Sequence, residues 1–119
     1  MAERGAGVIV SIIGAGGKVA SPTHLAGGSA NAALILATAG LGAAYAGKGV
    51  RVVEVSPGLT ETDRVAEGLA AEARLANISL DDARRRSVER IPMGRMALPS
   101  EIADVVVFSL RRRHGTSPA

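Results

Sequence analysis

The chain has 119 residues, 47% hydrophobic and 2% aromatic, with no cysteine and a formal charge of +3. That length holds one small domain, the apolar content sets it apart from disordered chains, and the lack of cysteine excludes disulfides, thiolate chemistry and cysteine-held zinc. The three arginines at 111–113 account for the whole positive excess, and neither they nor the run Arg84–Arg86 have aromatic residues interleaved for base stacking, so no nucleic-acid partner is expected.

Residues 7–13, GVIVSII, form a short apolar run bounded by glycine, the pattern of a strand buried on both faces. GAGGKVASPT (14–23) reads as loop from its glycine, serine and proline. A long helix is predicted over 25–46, with Leu34, Leu41 and Tyr45 at helical spacing and Gly47 and Gly49 as a stop. VRVVEV at 50–55 is β-branched and ends at SPG (56–58), because proline cannot donate to a ladder. Helices are predicted at 62–76 and 79–90, the second opened by Ser79 with Asp82 in a capping-box spacing. Residues 91–99 read as irregular, and Pro99-Ser100-Glu101 begins a last helix to about Leu110. The tail reads as unstructured.

Strand, long helix, strand predicts one parallel βαβ unit, since a crossover of that length pairs its strands in parallel. The fold class expected is α/β: a partial Rossmann-like doubly wound parallel sheet, one βαβ unit plus C-terminal helices. Two strands leave edges and faces that a parallel sheet normally covers, so the chain reads as a piece of something larger. The expected organisation is a partial dinucleotide-binding domain over 1–110 and a basic tail over 111–119. His24 and His114 are far apart and not in metal-ligand spacing, so no metal site is expected. No apolar run reaches the roughly 18 residues of a bilayer span, and VIVSIIGAG is short and glycine-broken, unlike a signal peptide. No membrane association is expected, and the expected location is cytoplasmic.

The glycines at 14–18 do not complete a phosphate-binding fingerprint, because Val19 takes the last glycine position; a turn is the simpler reading. VRVVEVSPGLTET (50–62) is more specific, placing backbone groups, Thr60 and Thr62 at the carboxyl end of a parallel strand, where open α/β sheets bind ligands.

Taken in order, IVSIIGAGGKVASPTH, AGGSANAAL, GVRVVEVSPGLTET and IPMGRMALPSEIADVVVF resemble the back half of classical short-chain dehydrogenases/reductases, from about Gly7 to Phe108. The resemblance implies an NAD- or NADP-linked oxidoreductase fold acting on an unidentified small-molecule substrate. It puts Pro57, Gly58, Leu59 and Thr62 at nicotinamide-side, cofactor-binding positions. It also puts the family's catalytic serine position at Gly14, its tyrosine at Gly27 (or Gly28, if the helix start slips by one) and its lysine at Asn31, with Ser11 at a structural asparagine position. Glycine offers no proton and asparagine no cation, so no catalytic residue is carried over. Little or no activity is expected, with His24 and Ser29 the neighbours that could substitute. The family's pyrophosphate loop has no counterpart in the 119 residues, and the end SLRRRHGTSPA departs from the family, as a truncated, phase-shifted reading frame would. The alternative function is a non-catalytic oligomerisation or interaction module, a homo-oligomer formed through helix 25–46, which is rich in small residues.

Overall fold

In the computed structural model, residues 1–111 are described. The expected tail lies outside them apart from Arg111. Two compact units divide the chain: Met1–Ser56 with the segment from Ala103 on, and Pro57–Ile102.

The first unit is built on β1 (Gly7–Ile12), α1 (Leu25–Tyr45) and β2 (Val50–Val55). The strands pair in parallel from Gly7↔Val50 to Ile12↔Val55, and the N–H of Ile13 extends the ladder to the Val55 carbonyl at 2.9 Å. This is the predicted βαβ unit. The expected loop 14–23 contains two single 3-10 turns, Ala15–Gly17 and Pro22–His24. The helix then ends one residue earlier than expected, and a 3-10 turn, Ala46–Lys48, is closed by Gly49 at φ 72°, a left-handed conformation natural to glycine.

Close approach seats α1 on the sheet. A Cβ at Gly42 would stand 3.5 Å from the Val52 carbonyl oxygen. Thr38, buried on α1, donates its hydroxyl hydrogen to Ser11 Oγ on β1 at 3.1 Å, so each hydroxyl is partnered away from water. Ile13 and Val50 are the buried apolar residues of this unit, whereas Ile9, Ile12, Leu36 and Phe108 stay exposed. The Arg51 guanidinium caps the end of α4 (Pro99–Leu110), donating to the Ser109 and Arg111 carbonyls at 3.1 and 3.0 Å, where a cation meets the negative end of a helix.

One sequence expectation changes: β1 is not buried on both faces, since no residue of Gly7–Ile12 is fully buried and Ile9 and Ile12 are exposed in a sheet of two strands. The helical stretch Pro22–Lys48 contains an 18-residue window of mean hydropathy 1.3, enough to cross a bilayer by length and composition alone. Asn31 and Thr38 interrupt it, so no unbroken apolar run is visible, but the average passes.

The second unit holds α2 (Asp63–Ala76) and α3 (Leu80–Glu89), with Leu69, Ala73, Ala83 and Met96 buried. Both helices begin one residue later than predicted because the first polar residue serves as the cap. Thr62 Oγ1 accepts from the Val65 N–H at 3.3 Å and Ser79 Oγ from the Asp82 N–H at 3.0 Å, each satisfying an otherwise orphaned donor. The Asp82 carboxylate pairs forward with Arg85 at 2.8 Å, so only one half of the capping box forms. α2 closes on Asn77, left-handed at φ 53°.

Candidate functional site

In the first unit, the substituted positions surround the loop that follows β1. Gly14 follows buried Ile13, and a Cβ there would stand 3.2 Å from Asn31 Nδ2. The amide at position 31 therefore occupies the space beside position 14. Gly17 lies against α1 itself, with a Cβ 2.8 Å from Asn31 Cβ and 2.9 Å from the Ala32 nitrogen. The His24 imidazole covers both Gly16 and Gly27. A Cβ on Gly16 would meet its Cδ2 at 3.0 Å, and a Cβ on Gly27 would overlap its Cε1 and Nε2. Among the described residues, neither ring nitrogen has a hydrogen-bond partner. Beside this ring opens a cleft of about 330 Å³, with Lys18, Ser21, His24, Gly28 and Ser29 in its lining. Lys18 forms an ion pair with β2, its Nζ 2.6 Å from Glu54 Oε1.

The expected substitutes, His24 and Ser29, thus share one cleft with the loop. Gly14 and Asn31 adjoin each other. What the sequence did not disclose is that the histidine, directly after the loop in sequence, turns its ring over position 27. The only sequence signal was the pair of glycines near the start of a helix, each costing about 1 kcal/mol against alanine there.

In the second unit, the segment at 57–62 is held by backbone pairing. Thr60 bridges Ala97 in parallel: the Ala97 N–H donates to the Leu59 carbonyl at 3.0 Å, and the Glu61 N–H to the Ala97 carbonyl at 2.8 Å. The two motifs most specific to the resemblance are therefore joined to each other. Thr60 Oγ1 donates to the Gly58 carbonyl at 3.2 Å, which tightens the turn, and a Cβ on Gly58 would meet nothing within 4 Å. Gly58, Leu59 and Thr62 are exposed and Pro57 half-buried. Glu61 is also paired with Arg84 of α3.

The arginine and glutamate of IPMGRMALPSE form a two-pronged ion pair, Arg95 Nη1 to Glu101 Oε2 at 2.8 Å and Nη2 to Oε1 at 2.6 Å. Glu101 Oε2 also accepts from the Leu98 N–H at 2.7 Å, the reach-back bond of a capping box at the start of α4. Arg95, then the Leu98 N–H, hold the Glu101 carboxyl down to about 2, against 4.5 for a free one. A carboxylate depressed in the fold adds stability above its unfolded pKa, which is lost as pH falls through the folded value. Acid titration followed by circular dichroism is accordingly expected to show the wild type losing stability relative to Glu101→Gln between about pH 4.5 and 2. Equal losses in the two chains would contradict this account of the motif.

Comparison with known proteins places these features. The model of the family described as Enoyl-(Acyl carrier protein) reductase matches residues 1–115. The chain is 33% identical to 2-(S)-hydroxypropyl-CoM dehydrogenase 3 of Xanthobacter autotrophicus over 110 residues, covering 92% of the chain and 41% of that protein. It is 34% identical to the inactive 2-(S)-hydroxypropyl-CoM dehydrogenase 2 of the same organism, covering 92% and 46%. Among solved structures, an actinorhodin polyketide ketoreductase with NADPH superposes with a TM-score of 0.82 at 34% identity, over 92% of the chain and 42% of the ketoreductase. The chain thus spans about two fifths of the length of the relatives it matches. The family match over nearly the whole chain, the parallel βαβ unit and the joined 57–62 and 91–101 motifs agree: this chain belongs to the short-chain dehydrogenase/reductase family.

Proposed function

We propose that the chain provides the nicotinamide-side portion of an NAD- or NADP-linked oxidoreductase fold and has little or no turnover by itself. The observation that carries this reading is the chemistry at positions 14, 27 and 31. Gly14 and Gly27 offer no proton, and Asn31 offers an amide where the family uses a cation.

The residues at 57–62 fit a nicotinamide carboxamide, which needs a donor and an acceptor. The Thr62 hydroxyl accepts from Val65 and keeps its own hydrogen to donate, and Gly58 leaves open space for close approach. In the first unit, Ser56 Oγ is buried with no hydrogen-bond partner among the described residues, a group a ligand could satisfy. Asn31 does not fit the cationic contact to the ribose. When bound, the dinucleotide supplies hydride transfer; this chain's residues contribute orientation of its carboxamide end. We place the protein in the cytoplasm, with an unidentified small molecule as substrate of the complete site.

The test is turnover with NAD⁺ or NADP⁺ and a panel of secondary alcohols. The expected result is no rate above buffer, since loss of one general acid/base alone costs about 10²–10⁴-fold. A rate near that of an ordinary dehydrogenase would refute the proposal.

One observation favours a second reading. Leu25 and Leu36 lie on one side of α1 and are exposed at 69% and 76%, a surface suited to self-association. A homo-oligomer through helix 25–46 predicts concentration-dependent mass in sedimentation, abolished by Leu36→Glu.

A further inference from the structure

The His24 imidazole rests on two glycines, and each would collide with it if it carried a side chain. At Gly27 a Cβ would lie within the ring's own volume. At Gly16 the approach to Cδ2 would be 3.0 Å. The ring thus occupies the start of the space that a side chain at position 27 would fill. His24 is exposed to the cleft of about 330 Å³, and its two nitrogens are unpartnered among the described residues. Lys18, the lining cation, is held by Glu54. Ser21 Oγ is paired with Thr23 Oγ1 at 3.0 Å. The imidazole and the Ser29 hydroxyl one helical turn on are therefore the neutral side-chain groups of this cleft without a partner among the described residues.

We infer that His24 takes over the place left by the side chain at position 27 and holds the oxygen of a small hydroxyl- or carbonyl-bearing ligand in this cleft. A neutral imidazole presents one donor and one acceptor nitrogen, so it meets a carbonyl oxygen through its N–H and a hydroxyl hydrogen through its lone pair. Neither interaction needs the tyrosine hydroxyl. The cleft admits a ring of six or seven heavy atoms with room to spare, and no net charge is needed. The ligand class rests on the oxidoreductase reading above; the position of the imidazole does not.

The test uses the whole chain with ¹³C-labelled histidine rings and cyclohexanone as the probe, with His114 as internal reference. The expected result is a saturable shift of the His24 ring signals with His114 unmoved. Saturation transfer to cyclohexanone is expected to show His24→Phe, which keeps a ring but no ring nitrogen, binding about tenfold more weakly, the loss of one ligand hydrogen bond. Gly27→Ala puts a methyl group into the ring's place and is expected to give the same loss, with helix content retained by circular dichroism. His24 signals that stay fixed while cyclohexanone is added, or a His24→Phe chain of wild-type affinity, overturn the inference. Titrating NADH into the same sample separates the two ideas. Saturable micromolar NADH binding together with a His24 response removes the reading above and leaves this one. Weak or absent NADH binding with silent His24 signals does the reverse.

Discussion

Replacing Gly49 with alanine is expected to destabilise the chain by about 2–4 kcal/mol, strain plus steric overlap. Gly49 has φ 72°, and a Cβ there would overlap the carbonyl oxygen of Gly5, which is backbone and cannot swing aside as a side-chain tip can. The position directly precedes Val50, buried and paired with Gly7. The cost therefore falls where α1 hands the chain to β2, and relief would have to break the first rung of the parallel ladder. Gly47→Ala is the internal control: a Cβ at Gly47 would meet nothing within 4 Å, so its effect is expected to stay within about 0.5 kcal/mol. Urea unfolding of the two variants measures both. Equal midpoints would show that the left-handed turn and the Gly5 contact contribute nothing.

The second large effect is expected at Ile13. Its side chain is fully buried in a unit where few others are, and its N–H continues the sheet beyond β1. Ile13→Ala removes methyl groups and leaves a cavity, costing about 2–5 kcal/mol. Ile13→Val is expected to cost about 0.5–1.5 kcal/mol. A conservative series matters here because Gly14 follows directly, so a collapse at residue 13 would also shift the Gly14–Asn31 approach. Exposed Ile12 is the comparison: with its side chain already in water, Ile12→Ala is expected to change the unfolding midpoint little. Equal losses at 12 and 13 would contradict the described burial.

Much of this architecture is written in local patterns. The alternation of apolar runs and helical spacing is carried by neighbours in the chain, so β1, α1, β2 and the three later helices fall within a residue or two of expectation. The offsets have a common cause: Thr62 and Ser79 are polar caps whose hydroxyls accept backbone hydrogen bonds, and a cap stands just outside the helix it starts. The family assignment was legible because IPMGRMALPSE is specific, yet its physical meaning was not. The Arg95–Glu101 fork and the Leu98 bond explain why arginine and glutamate stand six apart, and they depend on a turn whose shape sequence spacing does not reveal.

The candidate site was legible only in part. Reading Gly14, Gly27 and Asn31 at catalytic positions needed alignment to a family pattern; seeing that His24 covers Gly27 needed coordinates, because that contact runs from a 3-10 turn onto the first turn of a helix. The joining of 57–62 to residue 97 was hidden for a related reason. Isolated bridges between irregular segments leave no periodicity. Averaged hydropathy says less: leucine, isoleucine and alanine raise the mean of α1 to that of a bilayer span by composition alone, while Thr38 hydrogen-bonds Ser11 on the adjoining strand.

The central claim is that this chain keeps the nicotinamide-side segment of the family without a working dinucleotide site or catalytic set. The most direct test is titration of the folded chain with NADH and NADPH, following ligand fluorescence. The account predicts no saturation at micromolar cofactor and, at most, weak millimolar binding that Thr62→Ala removes. Saturable micromolar binding would contradict it.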